Sequence, residues 1–389
     1  MAASKVSLVR CQDYDPPTVE TAVKSAVHQL GGVERYVKPG ERVLLKPNLL
    51  LDAPPEDCVT THPTVVRAAA RLFLQHGCTV TIADSPGSFL PYTRETLARV
   101  YKRCGMLDIA EELGVELNLN VGFREIANER GKVLKEFKVI DPPAEADAII
   151  VISKLKTHLA TGLTGGAKNL YGIVPGLEKK ALHARYRTPG RFADVIVDLN
   201  ERIRPRLQIM DAVMTMEGDG PNTGTPRAMN AILGSDSPYA LDAIAARLAN
   251  LDPLRVTTVR AASRRHLIDV GSIEVAGERI EKMAVPGFVL PSTFAGSNGG
   301  TFASLLSSLS LDRARPMVSG QSCRGCGACA RSCPVDAINV VERKASIDRK
   351  KCIECYCCHE MCSSKAIKLE KSMVGRTIDR IVAGPGSGP

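Results

Sequence analysis

Nine of the thirteen cysteines in this 389-residue chain lie between Cys323 and Cys362, and eight of the nine repeat one spacing. The first run reads Cys323-x2-Cys326-x2-Cys329-x3-Cys333-Pro334, the second Cys352-x2-Cys355-x2-Cys358-x3-Cys362. Two-residue gaps let three thiolates of one tight loop reach three corners of an iron–sulfur cubane, while the fourth cysteine of each run ligates the other cube. The spacing therefore predicts two [4Fe–4S] clusters. Cys323, Cys326, Cys329 and Cys362 are expected to hold one, and Cys333, Cys352, Cys355 and Cys358 the other. Structural zinc is the competing chemistry, but zinc sites pair two Cys-x2-Cys units per ion rather than repeating a four-cysteine run. Gly325 and Gly327 permit tight turns and let backbone amides approach sulfur. Asp336-Ala337-Ile338 and Lys365-Ala366-Ile367 hold equivalent places in the two halves, the mark of an internal repeat. Cys357 stands outside the pattern and reads as a small buried hydrophobe. The other cysteines, Cys11, Cys58, Cys78 and Cys104, are scattered, so the late cluster speaks for metal ligation in a reducing cytosol rather than for disulfides.

A second set of chemically capable residues follows four apolar runs earlier in the chain, where sites form in open α/β sheets. Lys46-Pro47-Asn48 offers an anion contact after Val43–Leu45. Asp84-Ser85-Pro86-Gly87 is a turn with a carboxylate after Val80–Ala83. The third segment is the richest: Lys154, Lys156 and His158, then Gly162, Gly165, Gly166, Lys168, Gly172 and Gly176, then Lys179, Lys180 and His183. Glycines free backbone amides and lysines add charge, so an anion is expected to be cradled there, with Gly165 and Gly166 among its contacts. It is not a phosphate-binding P-loop, because Ala167 and Asn169 stand where that motif needs Gly and Ser or Thr. No dinucleotide fingerprint occupies a first β–α turn either. The fourth segment places Asp211 ahead of Glu217-Gly218-Asp219-Gly220-Pro221-Asn222, carboxylates able to bind a divalent metal or act as a base. His62, His158 and His183 are candidate proton carriers, since imidazole titrates near neutrality.

The elements that position these residues alternate. Val6–Val9, Arg42–Leu50, Cys78–Ala83, Ala148–Ile152, Gln208–Val213 and Asn230–Gly234 read as strands, with Val133–Ile140 as an edge strand or hairpin arm. Thr18–Leu30, Thr64–Gln75, Thr93–Cys104, Phe192–Ile203 and Ser237–Asn250 read as helices. This rhythm predicts an α/β fold, a mostly parallel sheet with helices on both faces, plus a small α+β ferredoxin-like domain. The expected division is residues 1–312, residues 317–372 for the two-cluster module, and a flexible Gly/Pro tail at 376–389. Residues 284–312, rich in Gly, Ser and Pro, read as a mobile connection.

Composition narrows the function. Lys and Arg number 51 against 42 Asp and Glu, a formal charge of +9 that ligating thiolates would reduce. No basic run exceeds Arg349-Lys350-Lys351, Trp is absent and aromatics make up 4%, which argues against nucleic-acid binding. No stretch approaches the ~18 apolar residues of a membrane span, and the first ten residues lack a signal-peptide pattern. The expectation is a cytoplasmic protein with no membrane and no nucleic-acid partner.

The segment around the eight cysteines looks like the bacterial two-cluster ferredoxins, which implies low-potential one-electron transfer. Lys46-Pro47-Asn48-Leu49, Thr61-His62-Pro63, Asp84-Ser85-Pro86-Gly87, Lys154-Leu155-Lys156-Thr157-His158 and the Thr164–Gly176 stretch together resemble the family called domain of unknown function 362. Asp211-Ala212-Val213 with Gly218-Asp219-Gly220-Pro221 fits the same pattern, and the resemblance covers most of residues 5–300. Gly165, Gly166, Lys168, Pro175, Gly176 and His183 are also similar to the nickel-pincer lactate racemase family, where the lysine anchors the cofactor and the histidine joins the metal site. That second resemblance implies a shared fold; the spacing and flanks differ, and no nickel pincer is expected. The reading is an iron–sulfur oxidoreductase with a protein electron donor or acceptor. Lys46, Asn48, Asp84, Lys154, Lys156 and Lys168 would hold an anionic substrate or cofactor, with His158 or His183 supplying protons. Its rivals are a non-catalytic ferredoxin-type subunit that docks on a partner enzyme, and a racemase-like enzyme with a regulatory ferredoxin domain.

Overall fold

Apolar β-branched runs become strands throughout the first three quarters of the chain. In chain order these are β1 (Lys5–Arg10), β2 (Arg42–Pro47), β3 (Thr79–Ile82), β4 (Glu116–Leu117), β5 (Phe123–Ala127), β6 (Glu136–Ile140), β7 (Ala148–His158), β8 (Gly162–Thr164), β9 (Leu207–Glu217), β10 (Thr225–Ser235) and β11 (Glu274–Gly277). The computed structural model describes residues 4–87, 90–294 and 314–370. The expected tail at 376–389 and most of the expected connection, residues 295–312, lie outside the described residues. Contacts divide the chain into two units. The first comprises Met1–Lys156, Leu163–Met216 and Pro226–Phe288, and the second Thr157–Gly162, Glu217–Thr225 and Val289–Pro389.

Nine strands form one sheet in the order β11-β1-β10-β9-β7-β2-β3-β4, with β8 paired to β7. Pairs β2–β3, β2–β7, β3–β4, β7–β9 and β1–β11 are parallel, and β1–β10 is antiparallel. The edge arm expected at Val133–Ile140 is β6, which pairs with β5 in a separate two-stranded ribbon. Helices 16–29, 63–75 and 106–113 contact one another, as do 189–203, 238–248 and 257–264. Strand β1 meets helix 16–29 of the first set and helix 238–248 of the second. The result is the expected α/β architecture. From β2 the chain steps to β3 and β4 on one side, then returns to β7 on the other side of β2. The C-terminal ends of β2 and β7 thus flank a topological switch point, where such sheets bind ligands. No helix among the described residues is long and apolar enough to cross a membrane.

Two strands run further than their apolar runs. β7 continues past Ile152 through Ser153–His158, buried at every position, and β9 continues to Glu217. In the extended part of β7, Ser153, Lys154 and Lys156 each find a partner in the interior. Helix starts follow local chemistry: the Asp15, Thr93, Thr188 and Ser237 side chains accept an amide of the first turn, and the His62 ring does the same for Thr64.

The second unit holds β12 (Arg315–Val318), β13 (Ile338–Val341), β14 (Lys344–Ile347) and β15 (Ile367–Glu370). β12 pairs antiparallel with β15, and β13 with β14. The internal repeat is visible in the backbone. Gly325 and Glu354, Gly327 and Tyr356, and Asp336 and Lys365 are equivalent pairs, and all six residues have positive φ between 49° and 74°. Cys329, Cys333, Cys358 and Cys362 pack with Ala337, Ile338, Ala366 and Ile367 in one buried cluster.

One buried carboxylate ties much of the first unit together. Asp198 is fully buried and accepts the amides of Lys132, Val133 and Leu134 at 2.8–2.9 Å, and it pairs with Arg265 at 2.8 Å. Asp198→Ala strands these donors in the interior and should cost about 3–5 kcal/mol, read as a lower urea midpoint. An unchanged midpoint would show that the network contributes nothing.

Candidate functional site

Lys46 ends β2, and its ammonium lies 2.6 Å from Asp84, which follows β3. It also donates to the Pro47 carbonyl at 2.7 Å and to Asn169 Oδ1 at 3.2 Å. The other Asp84 oxygen accepts the Leu49 amide at 2.7 Å. Gly172 faces this pair so closely that a Cβ there would collide with both side chains. Lys179 donates to the Ser85 carbonyl and hydroxyl at 2.8 Å and to the Pro86 carbonyl at 2.9 Å. Burial pushes its ammonium down to about 7; Asp84 opposes this, and Lys46 and Lys168 add to it. Burial lowers Lys46 as well, against the pull of Asp84. Lys156 donates to Asn48 Oδ1 at 3.2 Å and to the Val59 carbonyl. The structure thus gathers Lys46, Asn48, Asp84, Lys156, Asn169 and Lys179 at the switch point, with Asp84, Lys46 and Lys168 all in electrostatic reach of Lys179.

Lys154 belongs to a separate network. Its ammonium lies 2.9 Å from Asp211 Oδ2 and 2.7 Å from the Tyr14 hydroxyl, which in turn donates to Asp211 Oδ1 at 2.8 Å. Tyr14 stacks on His62 at 3.5 Å, and the His62 amide donates to Asp211 at 3.0 Å. Burial pushes His62 down to about 4; Asp211 pulls it up and Lys154 presses it further down, so the ring is neutral at physiological pH. Asp211 is therefore the counter-ion of Lys154, and not the free base or metal ligand its sequence setting suggested. Glu217 and Asp219 are likewise engaged, accepting the amides of Val289 and Ser292.

The glycine-rich stretch does cradle an anion, but the anion is the protein's own. Asp242 accepts the Gly166 amide at 2.6 Å and the Ala167 amide at 3.3 Å, and a Cβ on Gly165 would collide with it. Burial pushes Asp242 up to about 7, against the pull of those two amides. A ligand contact at Gly165 and Gly166 is corrected accordingly. Lys168 is half-buried on the short helix that these glycines open. His183 lies on helix 176–185, stacked on Phe192 at 4.2 Å with Tyr171 edge-on at 5.9 Å.

In the second unit the thiols group in the crossed pattern. Cys329 lies within electrostatic reach of Cys362, Cys326 and Cys323, and Cys352 within reach of Cys355 and Cys333. Cys358 reaches Cys355, Cys352 and Cys333, with Cys329 of the other group beside it. Backbone amides point at sulfur: Ala337 to Cys333 and Ala366 to Cys362, both at 3.2 Å, and Ala345 to Cys323 at 3.5 Å. Such N–H···S contacts are what cluster-ligating thiolates require, and the donor set fits iron–sulfur clusters. Cys357, outside the pattern, is buried as expected.

His158 lies in the second unit, with its final neighbours on the second cysteine run. The Ala160 amide donates to His158 Nδ1 at 3.1 Å, which leaves the proton of the neutral ring on Nε2. That nitrogen faces Glu360 Oε1 at 3.0 Å, and the His158 side chain is 1% exposed. Asn222 donates to the Glu360 carbonyl at 3.0 Å, and His359 contacts Thr223 at 2.6 Å and the Asp219 carbonyl at 3.2 Å. Segments 157–162 and 217–225 therefore hold the chain between Cys358 and Cys362. Lys168 and His183 belong to the first unit, so they and His158 do not form one cluster within either unit. Tyr14, Asp242 and Glu360 escaped sequence reasoning. Glu360 alone carried a local signal, its place between two cluster cysteines.

Comparison with known proteins finds two matching segments. A family model described as domain of unknown function (DUF362) matches residues 43–247, and one described as a 4Fe-4S dicluster domain matches residues 315–363. The thylakoid-associated protein sll1697 of Synechocystis sp. is 33% identical over 261 residues, 67% of this chain and 78% of that protein. A component of the ion-translocating oxidoreductase complex of Methanosarcina acetivorans is 47% identical over 47 residues, 12% of this chain and 18% of that one. Among solved structures, the lactate racemase apoprotein from Thermoanaerobacterium thermosaccharolyticum aligns with a TM-score of 0.36 at 13% identity, covering 61% of this chain and 54% of that one. The C-terminal module is an iron–sulfur electron-transfer module.

Lys179 gives the buried network a pH signature. Its folded value of about 7 lies below the ordinary 10.5, so the unfolded chain binds more protons between those limits. Stability should rise with pH through this window, and Lys179→Met should make the rise shallower, with the titration of Lys46 remaining. Urea unfolding at several pH values between the two limits measures it; equal slopes in both proteins would contradict the assignment.

Proposed function

The chain belongs to the DUF362 family, and we propose that it works as an iron–sulfur oxidoreductase in which two [4Fe–4S] clusters relay single electrons to an anionic substrate or cofactor in the α/β body. Cys323, Cys326, Cys329 and Cys362 would hold one cluster, and Cys333, Cys352, Cys355 and Cys358 the other. The bound clusters supply one-electron chemistry. The observation that carries this reading is the crossed grouping of the eight thiols, with backbone amides directed at three of them. The body is taken as residues 1–312 and the module as 317–372.

The anionic character of the substrate follows from charge. Lys46 and Lys179 lie near Asp84, with Lys168 in reach of Lys179, and a site where lysines outnumber carboxylates attracts an anion. Lys46 and Lys156 shape this region through Asp84 and Asn48, and Lys168, half-buried, is the proposed contact. Lys154 is committed to Asp211 and Tyr14 and serves to hold that network in place. His183 is the proposed proton carrier on the substrate side. His158 holds its proton at Nε2 against Glu360, beside the second cysteine run.

A second reading is a non-catalytic ferredoxin-type subunit. It is favoured by the match to a component of an ion-translocating oxidoreductase complex, which is confined to 47 residues. Anaerobic purification separates the two readings: a co-purifying small anion supports the enzyme, and a stable protein partner without one supports the non-catalytic role. Either way, the material should carry about eight irons and eight acid-labile sulfides per chain. Cys326→Ser should damage only the first cluster and retain about half of the iron. Zinc in place of iron and sulfide would overturn both readings.

A further inference from the structure

The two cysteine runs are not equally accessible. Cys326 is exposed, whereas Cys355, its equivalent in the second run, is half-buried. The edge around Cys326 is basic. Arg324 stands exposed between Cys323 and Cys326. Arg331, also exposed, donates from Nη1 to the Cys326 carbonyl at 3.1 Å. The backbone of exposed Arg343 packs so tightly on Gly325 that a Cβ there would collide with it. Lys344 is exposed too, and the next amide, that of Ala345, points at the Cys323 sulfur. Asp336 and Glu342 are the carboxylates in the stretch that carries these four cations. The ion pairs formed by the module's described residues, Arg315 with Glu354 and Glu360 with His158, use none of these four cations.

A four-thiolate cluster is itself anionic, so a partner with an acidic face would be repelled unless cations lay between them. Arg324, Arg331, Arg343 and Lys344 are placed to do that. We propose that this edge, at the first cysteine run, is the docking surface for a one-electron carrier protein whose cofactor is rimmed by carboxylates. The proposal rests on the cluster assignment above. In the transfer, the carrier's cofactor loses one electron and the cluster held by Cys323, Cys326, Cys329 and Cys362 gains it. No bond forms or breaks, and no proton moves.

The experiment uses the full chain with its clusters, and two acidic carriers as probes, a flavodoxin and a plant-type [2Fe–2S] ferredoxin. Binding of at least one should weaken about ten-fold or more between low and roughly physiological salt, because attraction across such an edge is screened beyond about 8–10 Å. Arg324→Glu combined with Arg343→Glu should weaken it about ten-fold or more at low salt, with iron content and visible absorbance retained. Lys344→Glu, outside the cysteine loop, should weaken it in the same direction if the double variant fails to fold. Lys350→Glu with Lys351→Glu, the same charge change beside the second run, should leave affinity within about two-fold. Failure of both carriers to bind, equal weakening by the Lys350/Lys351 variant, or tighter binding of a single-stranded oligonucleotide at the same edge would overturn the proposal. Iron-free material would instead defeat the cluster assignment, which keeps the two failures distinct.

Discussion

A charge taken out of water must meet an opposite charge or a full set of hydrogen-bond partners inside the protein. Strand β7 imposes that demand in concentrated form: every residue from Ala148 to His158 is buried, and Lys154, Lys156 and His158 are among them. Each partner comes from a different part of the chain. Asp211 and Tyr14 meet Lys154, Asn48 and Val59 meet Lys156, and Glu360 meets His158. Within the first unit, one strand therefore specifies where β9, the N-terminal segment and the end of β2 must stand. Had these positions been apolar, the strand would pack as well against many registers. With charges, misplacement leaves an unpaired ion in the interior.

The iron–sulfur module is organised differently. It has little apolar bulk and relies on a repeated backbone path, with left-handed residues at matched positions and amides turned towards sulfur. Equivalent contacts recur in both halves: the Ala337 amide meets Cys333 as the Ala366 amide meets Cys362. The crossed ligation proposed above would make the halves interdependent, because the fourth cysteine of each run would serve the other group.

How much of this was legible in the sequence depended on distance along the chain. The cysteine runs were readable as iron–sulfur ligands because their chemistry is local, written in the spacing itself. Helix starts at Ser237 and Pro63 and the alternation of strands and helices were readable for the same reason. β7 was cut short at Ile152 because Ser153-Lys154 looks like the start of a loop, and nothing nearby announces that Asp211 will neutralise the lysine. The glycines at 165–166 suggested amides free for a ligand, yet the carboxylate that meets the Gly166 amide, Asp242, comes from a later helix. Tyr14 carried no local sign of its role, since both its partners lie far along the chain.

The repeat also contains a deliberate inequality. At the left-handed position inside each cysteine loop the first half has Gly327 and the second has Tyr356, at φ 74° and 64°. A tyrosine there carries a steric penalty of roughly 1–2 kcal/mol that glycine avoids. Its hydroxyl is fastened to the Ala314 carbonyl at 2.9 Å, with the ring buried. A duplicated path is in this way covered unequally: Cys326 stands exposed in one half, while Cys355, its counterpart, is half-buried.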